Sequence, residues 1–129
     1  MRAMMWALAG DGHISFEGDL LRCVFPEHLG ANDEETDALC RNTLVPRQDF
    51  VVLPLKPESV VPILDVVLPA RRYIDAIIHI QIERDGELRF GSYDNFHRDC
   101  IGCRGIDPAL LDRLESSGVI RSWRIAPDA

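Results

Sequence analysis

The chain has 129 residues, 47% hydrophobic and 27% charged, so a single domain spanning 1–129 can bury a core without disulfides or a metal. Its 14 basic and 21 acidic residues give a net charge of −7, which opposes nucleic-acid binding and favours a basic partner. No apolar run approaches the roughly 20 residues that a membrane helix needs, so we expect no membrane association.

The first residues have some features of a secretory signal. Ala7 and Ala9 have the spacing of a cleavage site, but the apolar stretch is short and Asp11 follows almost at once. In a chain of this kind the four cysteines are expected to be thiols rather than disulfide partners. Together these features predict a cytoplasmic protein.

Residues 4–25 show the alternation of a three-stranded meander. The alternating apolar positions are Trp6 and Leu8, then Ile14 and Phe16, then Leu21, Cys23 and Phe25. Segment 10–12 begins and ends with glycine and suits a three-residue hairpin loop, and Gly18-Asp19 suits a two-residue turn. This register predicts that Cys23 is a small core residue.

Asn32 is a plausible N-cap for a short helix over Asp33–Arg41, whose acidic first turn complements the helix dipole. A nearly continuous apolar run predicts a strand at Asp49–Leu55. The next segment has the β-branched content of a strand, but its helical spacing and Pro62 in a first turn favour a helix from Ser59 to Leu68.

Strict alternation over Ile78–Glu83 predicts a strand that turns at Arg84–Gly86. A three-residue loop there pairs Ile82 with Leu88, whereas a two-residue loop would pair Ile82 with Arg89 and mix the two faces, so we predict the longer loop. Asp107-Pro108 predicts the start of a helix that closes at Gly118, and a last strand at Val119–Ile125.

These elements predict an α+β fold in which a hairpin-rich, antiparallel-dominated sheet packs against two or three short helices. The expected core comprises Trp6, Leu8, Ile14, Phe16, Leu21, Phe25, Val52, Ile78, Ile80, Ile82, Leu88, Phe90, Leu111 and Leu114.

The densest polar cluster of the sequence is residues 93–103. His97, Cys100 and Cys103 have spacing that could share one zinc ion, with Cys40 or His28 as the fourth ligand. A thiol-dependent redox role for the same cysteines is a further alternative. The paired knuckles of a typical zinc site are missing, so we expect two reduced cysteines in a tight loop, without metal or cofactor.

The same loop holds the only arrangement that suggests catalysis. A histidine between two carboxylates keeps its charge and can act as an acid or base, which makes Asp94, His97 and Asp99 the candidates for a small hydrolase or transferase. Turn chemistry alone explains Asp94 and its neighbour Asn95, so this enzyme hypothesis is an alternative to the main interpretation.

The main interpretation is a non-enzymatic domain that binds a basic protein. Its acidic, hairpin-rich build resembles small inhibitor and immunity proteins, although no motif carries the likeness. The expected binding residues are the acidic segment and the polar side of the Ile78–Glu83 strand: Asp33, Glu34, Glu35, Asp37, His79, Gln81 and Glu83. Free sheet edges make a homodimer the other expected association.

Overall fold

The computed structural model describes residues 1–69 and 76–127. Its helices are α1 (Arg2–Leu8), α2 (Pro57–Val67) and α3 (Pro108–Ser116), and its strands are β1 (Gly12–Gly18), β2 (Asp49–Leu55), β3 (Ile77–Arg84), β4 (Glu87–Ser92) and β5 (Ile101–Cys103). Short 3-10 turns lie at Glu27–Leu29 and Arg98–Cys100. The α+β fold predicted from the sequence is confirmed. None of the helices described is both long and apolar enough to cross a membrane.

The five strands form one antiparallel sheet in the order β2-β1-β3-β4-β5. Strand β1 lies between β2 and β3 and pairs with both. The connection from β2 through α2 to β3 therefore crosses over a strand that comes earlier in the chain. The sheet therefore depends on pairings between distant segments, and β3–β4–β5 is its longest run of neighbouring strands that are also consecutive in the chain.

One face of the sheet packs against the helices and forms the main core. Its strand residues include Ile14, Phe16, Leu53, Leu55, Ile80, Ile82 and Phe90, and its helical residues are Met4, Met5, Leu8, Val60, Ile63, Leu64 and Val67. Complete burial of side chains such as Phe16 and Ile14 contributes about 1.5–3 kcal/mol each. Helix α3 adds only partly buried leucines to this core.

The predicted meander over residues 4–25 is wrong. Residues 2–8 form α1, which buries Met4, Met5 and Leu8 and leaves Trp6 50% exposed. The stretch after β1 forms no strand, and Leu21 is 85% exposed. Local alternation here was overridden by the pairing of β1 with two distant strands. Cys23 is half-buried against the core rather than fully inside it.

The β3–β4 hairpin turns at Asp85-Gly86, so the predicted three-residue loop is wrong. Both turn residues have positive φ, as a two-residue turn of this kind requires. The faces are not mixed, because a bulge at Arg89 lets Ile82 pair with Phe90 while Leu88 pairs with Glu83. Leu88 therefore points away from the helices and is 38% exposed.

Of the other predicted elements, three are confirmed and two are wrong. Strand β2 is confirmed, and so are α2, which begins two residues before the predicted Ser59, and α3, which is capped by Asp107. The helix predicted for Asp33–Arg41 and the strand predicted for Val119–Ile125 are wrong, since both segments lack regular structure apart from turns and bends.

Candidate functional site: a loop anchored on a buried polar layer

The sheet face opposite the helices carries a layer of buried polar side chains. Alternation along β1 and β3 places six polar residues on this face, and the strand register sets them in cross-strand pairs: Glu17 with His79, Ser15 with Gln81, and His13 with Glu83. Five of the six are buried, and only His13 is exposed. The expectation that His79, Gln81 and Glu83 face solvent is wrong, because each is less than 10% exposed.

Residues 31–47, here called the covering loop, account for this burial. Asn32 forms an isolated bridge with Val52 on the outer edge of β2, through hydrogen bonds of 3.0 and 2.7 Å. Leu39 is fully buried and forms a second, smaller apolar cluster with Phe50 and Val52. The loop therefore has its own edge contact and its own apolar anchor.

Glu17 holds the middle of the covering loop. Its carboxylate accepts hydrogen bonds from the backbone N–H groups of Asn42, at 2.8 Å, and Thr43, at 3.1 Å. Glu17 is 1% exposed, and a buried carboxylate needs such donors to offset the loss of water. Each oxygen takes one of two successive N–H groups, which fixes the loop backbone at this point.

His79 joins the covering loop to the loop after β4. Its Nδ1 accepts the backbone N–H of Asp94 at 3.3 Å, so the ring proton lies on Nε2. Nε2 then donates to the hydroxyl of Thr43, 2.8 Å away. A hydroxyl beside a histidine is the arrangement of a nucleophile and its base, but in this tautomer Nε2 cannot accept the hydroxyl proton.

Gln81 is the third anchor of the layer. Its Oε1 accepts from the Ser15 hydroxyl at 3.4 Å and from the Cys40 N–H at 3.3 Å, and its Nε2 donates to the Tyr93 hydroxyl at 3.1 Å. Tyr93 also lies against the His79 ring, with 5.5 Å between ring centroids. One amide thus links two strands and two loops.

Glu83 closes the layer at the turn end of β3. It contacts His13 Nδ1 at 2.5 Å and accepts the Gly86 N–H at 3.0 Å, so it supports the β3–β4 turn rather than facing a partner. Since these polar groups are buried and bonded within the chain, a partner cannot touch His79 or Gln81 while the covering loop stays in place, nor Glu83 while the β3–β4 turn does.

The acidic segment Asp33–Asp37 lies on the outer side of the covering loop, where all its residues are exposed. Glu35 is turned back toward Arg41, whose backbone N–H it accepts at 2.6 Å. The carboxylates of Asp33, Glu34 and Asp37 make no ion pair with any residue that the structure describes. Three negative charges are thus presented on a backbone that is fixed at both ends.

Asp94, His97 and Cys100 come together in the loop between β4 and β5. The Cys100 thiol lies 3.8 Å from Asp94 Oδ2 and 3.9 Å from His97 Nδ1, and that nitrogen accepts the Asp99 N–H at 3.3 Å. Desolvation, then the charge and hydrogen bond of Asp94 and the charge of Asp99, raise the pKa of the Cys100 thiol. These carboxylates disfavour the thiolate that a nucleophile or a metal ligand would need.

The backbone of this loop makes a left-handed turn at Asp94, Asn95 and Phe96, with φ of 51°, 56° and 61°. Such a run is costly for residues other than glycine. Hydrogen bonds from the Asp94 N–H to His79 and from the Asn95 N–H to Ile78 oppose that cost by docking the turn on β3.

The remaining ligand candidates do not join this group. Within residues 1–69 and 76–127, no three His, Cys, Asp or Glu side chains are grouped so as to hold a metal ion. Cys40 lies in the covering loop, where its N–H donates to Gln81, and His28 is exposed in a 3-10 turn. All four cysteines are free, and desolvation raises the pKa of Cys103.

Fold and site together define an α+β domain whose sheet has one face against helices and one face, lined by polar groups, under a loop. No protein-family model matches the chain, and no curated protein or solved structure matches it either. Any statement about function therefore rests on the chain's own geometry. Sequence reasoning missed Glu17 and Thr43, although the place of Glu17 in an alternating strand was a usable signal.

Proposed function

We propose that this protein is a non-enzymatic binding domain whose covering loop docks a basic protein. The observation that carries the proposal is the anchored acidic segment, in which Asp33, Glu34 and Asp37 are exposed and unpaired among the described residues. The net charge of −7 would add long-range attraction for a basic partner.

Anchoring matters because a mobile loop must become ordered when it binds, and the free energy of ordering it reduces the affinity. The covering loop is already ordered by Leu39, the Asn32 bridge and the hydrogen bonds to Glu17. A surface fixed before binding keeps more of its contact energy as affinity.

The same loop offers apolar contact area beside its charges. Leu44 is 71% exposed and Val45 is 91% exposed, and both follow the fixed residue Thr43. Protein interfaces combine a buried apolar centre with a polar rim, so these two side chains suit the centre and the acidic segment suits the rim.

Two features speak against the enzyme alternative. The His79 ring carries its proton on the nitrogen that faces Thr43, and the Cys100 thiol has a raised pKa beside Asp94. Neither pair supplies an activated nucleophile in this state. The homodimer alternative relied on free sheet edges, and Asn32 already occupies part of the β2 edge.

The test begins with the immobilised full chain in native lysate at low and high salt, and with mass spectrometry of the proteins released by salt. A basic protein found this way is purified and titrated against the wild type and against the triple variant D33N/E34Q/D37N. The matched control, D11N/D65N/E115Q, removes three exposed charges elsewhere. We expect the first variant to associate more slowly and bind more weakly than the control.

The oligomeric state is measured in parallel by light scattering. Equal loss of affinity in both variants would show that only net charge matters, and the covering loop would not be the docking surface. A stable dimer without another partner, together with hydrolytic activity that vanishes in His97→Ala, would replace the proposal with the enzyme alternative.

A further inference from the structure

A cavity of about 420 Å³ lies on the helix side of the sheet, away from the covering loop. The end of α1, the β3–β4 hairpin and the segment that leads into α3 form its walls. Two arginines, Arg84 and Arg89, line it, although the chain as a whole is strongly acidic.

Arg84, at the last position of β3, is half-buried in this wall. Its guanidinium makes no ion pair or side-chain hydrogen bond with the residues in 1–69 and 76–127. It lies beside Gly10 in the neighbouring loop, where an added Cβ would be in van der Waals contact with Arg84 Nη2, at 3.4 Å. The guanidinium therefore has five N–H donors and no acceptor for them among the described residues, which is unusual for a half-buried arginine.

Arg89 reaches the same cavity because of the β-bulge. It is the extra residue between Leu88 and Phe90, and bulges redirect side chains in this way. Its Nη2 lies 3.3 Å from the exposed Glu87 carboxylate, but its Nε is buried without an acceptor among the described residues. Gly105 lets the backbone approach the guanidinium, since a Cβ there would collide with Nη1.

The carboxylates in the cavity wall do not neutralise these arginines. Asp107 is engaged as the cap of α3, where Oδ1 accepts the Ala109 N–H at 2.9 Å. Asp85, in the hairpin turn, also lines the cavity, but among the described residues neither aspartate forms an ion pair with Arg84 or Arg89. Among the described residues Arg84 thus has no charge partner, and Arg89 has only the exposed Glu87. Two like charges in one partly desolvated cavity repel each other, and a bound anion reduces that cost.

We propose that this arginine cavity binds the phosphate group of a small phosphomonoester. A phosphate carries close to two negative charges near neutral pH, which matches two guanidinium groups, whereas a carboxylate carries one. Guanidinium groups also bind phosphate oxygens through paired N–H bonds.

The rest of the cavity indicates what the phosphate is attached to. Its volume lies in the range of small-molecule sites, well above that of inorganic phosphate. Leu8, Ile106 and Leu110 supply an apolar wall for an organic group, and Asp85 can only accept hydrogen bonds. A phosphorylated compound with at least one hydroxyl, such as a small sugar phosphate, fits these walls.

The test is calorimetric titration of the full chain at low salt with ribose 5-phosphate, inorganic phosphate, ribose and acetate. We expect ribose 5-phosphate to bind more tightly than inorganic phosphate, and ribose and acetate to give no signal. Arg84→Gln should weaken both phosphate ligands about tenfold or more, because it removes a charged hydrogen-bond donor. Arg89→Lys keeps the charge and should weaken them less.

The exposed Arg22→Gln is the matched control and should leave the affinity unchanged. Thermal unfolding of each variant verifies that it is folded before titration. Failure of the wild type to bind either phosphate ligand at millimolar concentration would overturn the proposal, and so would equal binding by Arg84→Gln. Arg84-dependent binding of acetate without phosphate binding would reassign the cavity to carboxylates.

Discussion

Substitution of Glu17 by glutamine tests whether one carboxylate anchors the covering loop. The change keeps the shape of the side chain, but a glutamine has one acceptor oxygen where the carboxylate has two. One of the N–H groups of Asn42 and Thr43 would then face an NH₂ group, donor against donor, inside the protein.

The expected loss of stability follows from these two bonds. Hydrogen bonds to a charged group contribute about 1.5–3 kcal/mol each, and an unsatisfied buried donor costs about 1–3 kcal/mol. Burying a neutral amide instead of a carboxylate offsets part of this loss of free energy, because the amide loses less hydration than the carboxylate. We expect Glu17→Gln to lower the free energy of unfolding by about 2 kcal/mol, or the melting temperature by roughly 8 °C.

The assay is urea unfolding combined with hydrogen exchange of individual amides. The Asn42 and Thr43 amides should exchange much faster in Glu17→Gln. The amides of β1 and β3 should lose only as much protection from exchange as the lower global stability explains. Glu27→Gln, at an exposed position, is the matched control and should change stability by less than about 0.5 kcal/mol. Unchanged stability and unchanged exchange at both amides would refute the anchoring role.

Three further predictions follow from single contacts. Leu39→Ala should lower the free energy of unfolding by about 2–4 kcal/mol in urea melts, because Leu39 is fully buried, and the exposed Leu44→Ala should change it little. Asp94→Asn should lower the raised pKa of Cys100 and so speed the alkylation of Cys100 by iodoacetamide a few-fold at pH 8. The pKa of Cys103 is raised by desolvation alone, so the rate of its alkylation should not change. Gly12→Ala should cost about 1–3 kcal/mol in the same melts because its Cβ would collide with the Glu83 carbonyl, and Gly102→Ala, with open space around it, should be neutral.

The elements that the sequence predicted correctly are those whose signals are local and consistent. Strand β2 is an apolar run between prolines, and α3 has Asp107 as its cap, proline at its first position and Gly118 just beyond its end. In these segments the cap residues, the turn residues and the hydrophobic pattern all indicate the same structure, so tertiary contacts do not change the local preference.

The glycines of β1 show why its partners were not predicted. Gly12 and Gly18 suit hairpin turns by composition, yet they are the first and last residues of β1, at points where the neighbouring segment comes close. A Cβ at either position would collide with a carbonyl of the neighbouring segment, at Glu83 or Ala76. Sequence alone does not distinguish a glycine needed for a turn from one needed for a close backbone approach.

The polar face of β3 shows a second limit. Alternation correctly placed His79 and Gln81 on the side opposite Ile80 and Ile82, but it does not say whether solvent or another segment covers that side. The cover is an irregular loop, for part of which (Asp33–Arg41) the sequence predicts a helix, and no periodicity indicates where such a loop lies.

The two proposed sites lie on opposite faces of one sheet, and this makes them separable. The covering loop rests on Glu17, His79 and Gln81, whereas the arginine cavity is bounded by helices on the other side. Glu17, His79 and Gln81 make their hydrogen bonds to the loop within the chain, so the position of the loop does not require a ligand in the cavity. Arg84→Gln should therefore weaken phosphate binding without weakening the binding of a basic partner, and D33N/E34Q/D37N should weaken the partner without changing phosphate binding. If either change altered both affinities in folded protein, the sheet would be coupling the two faces.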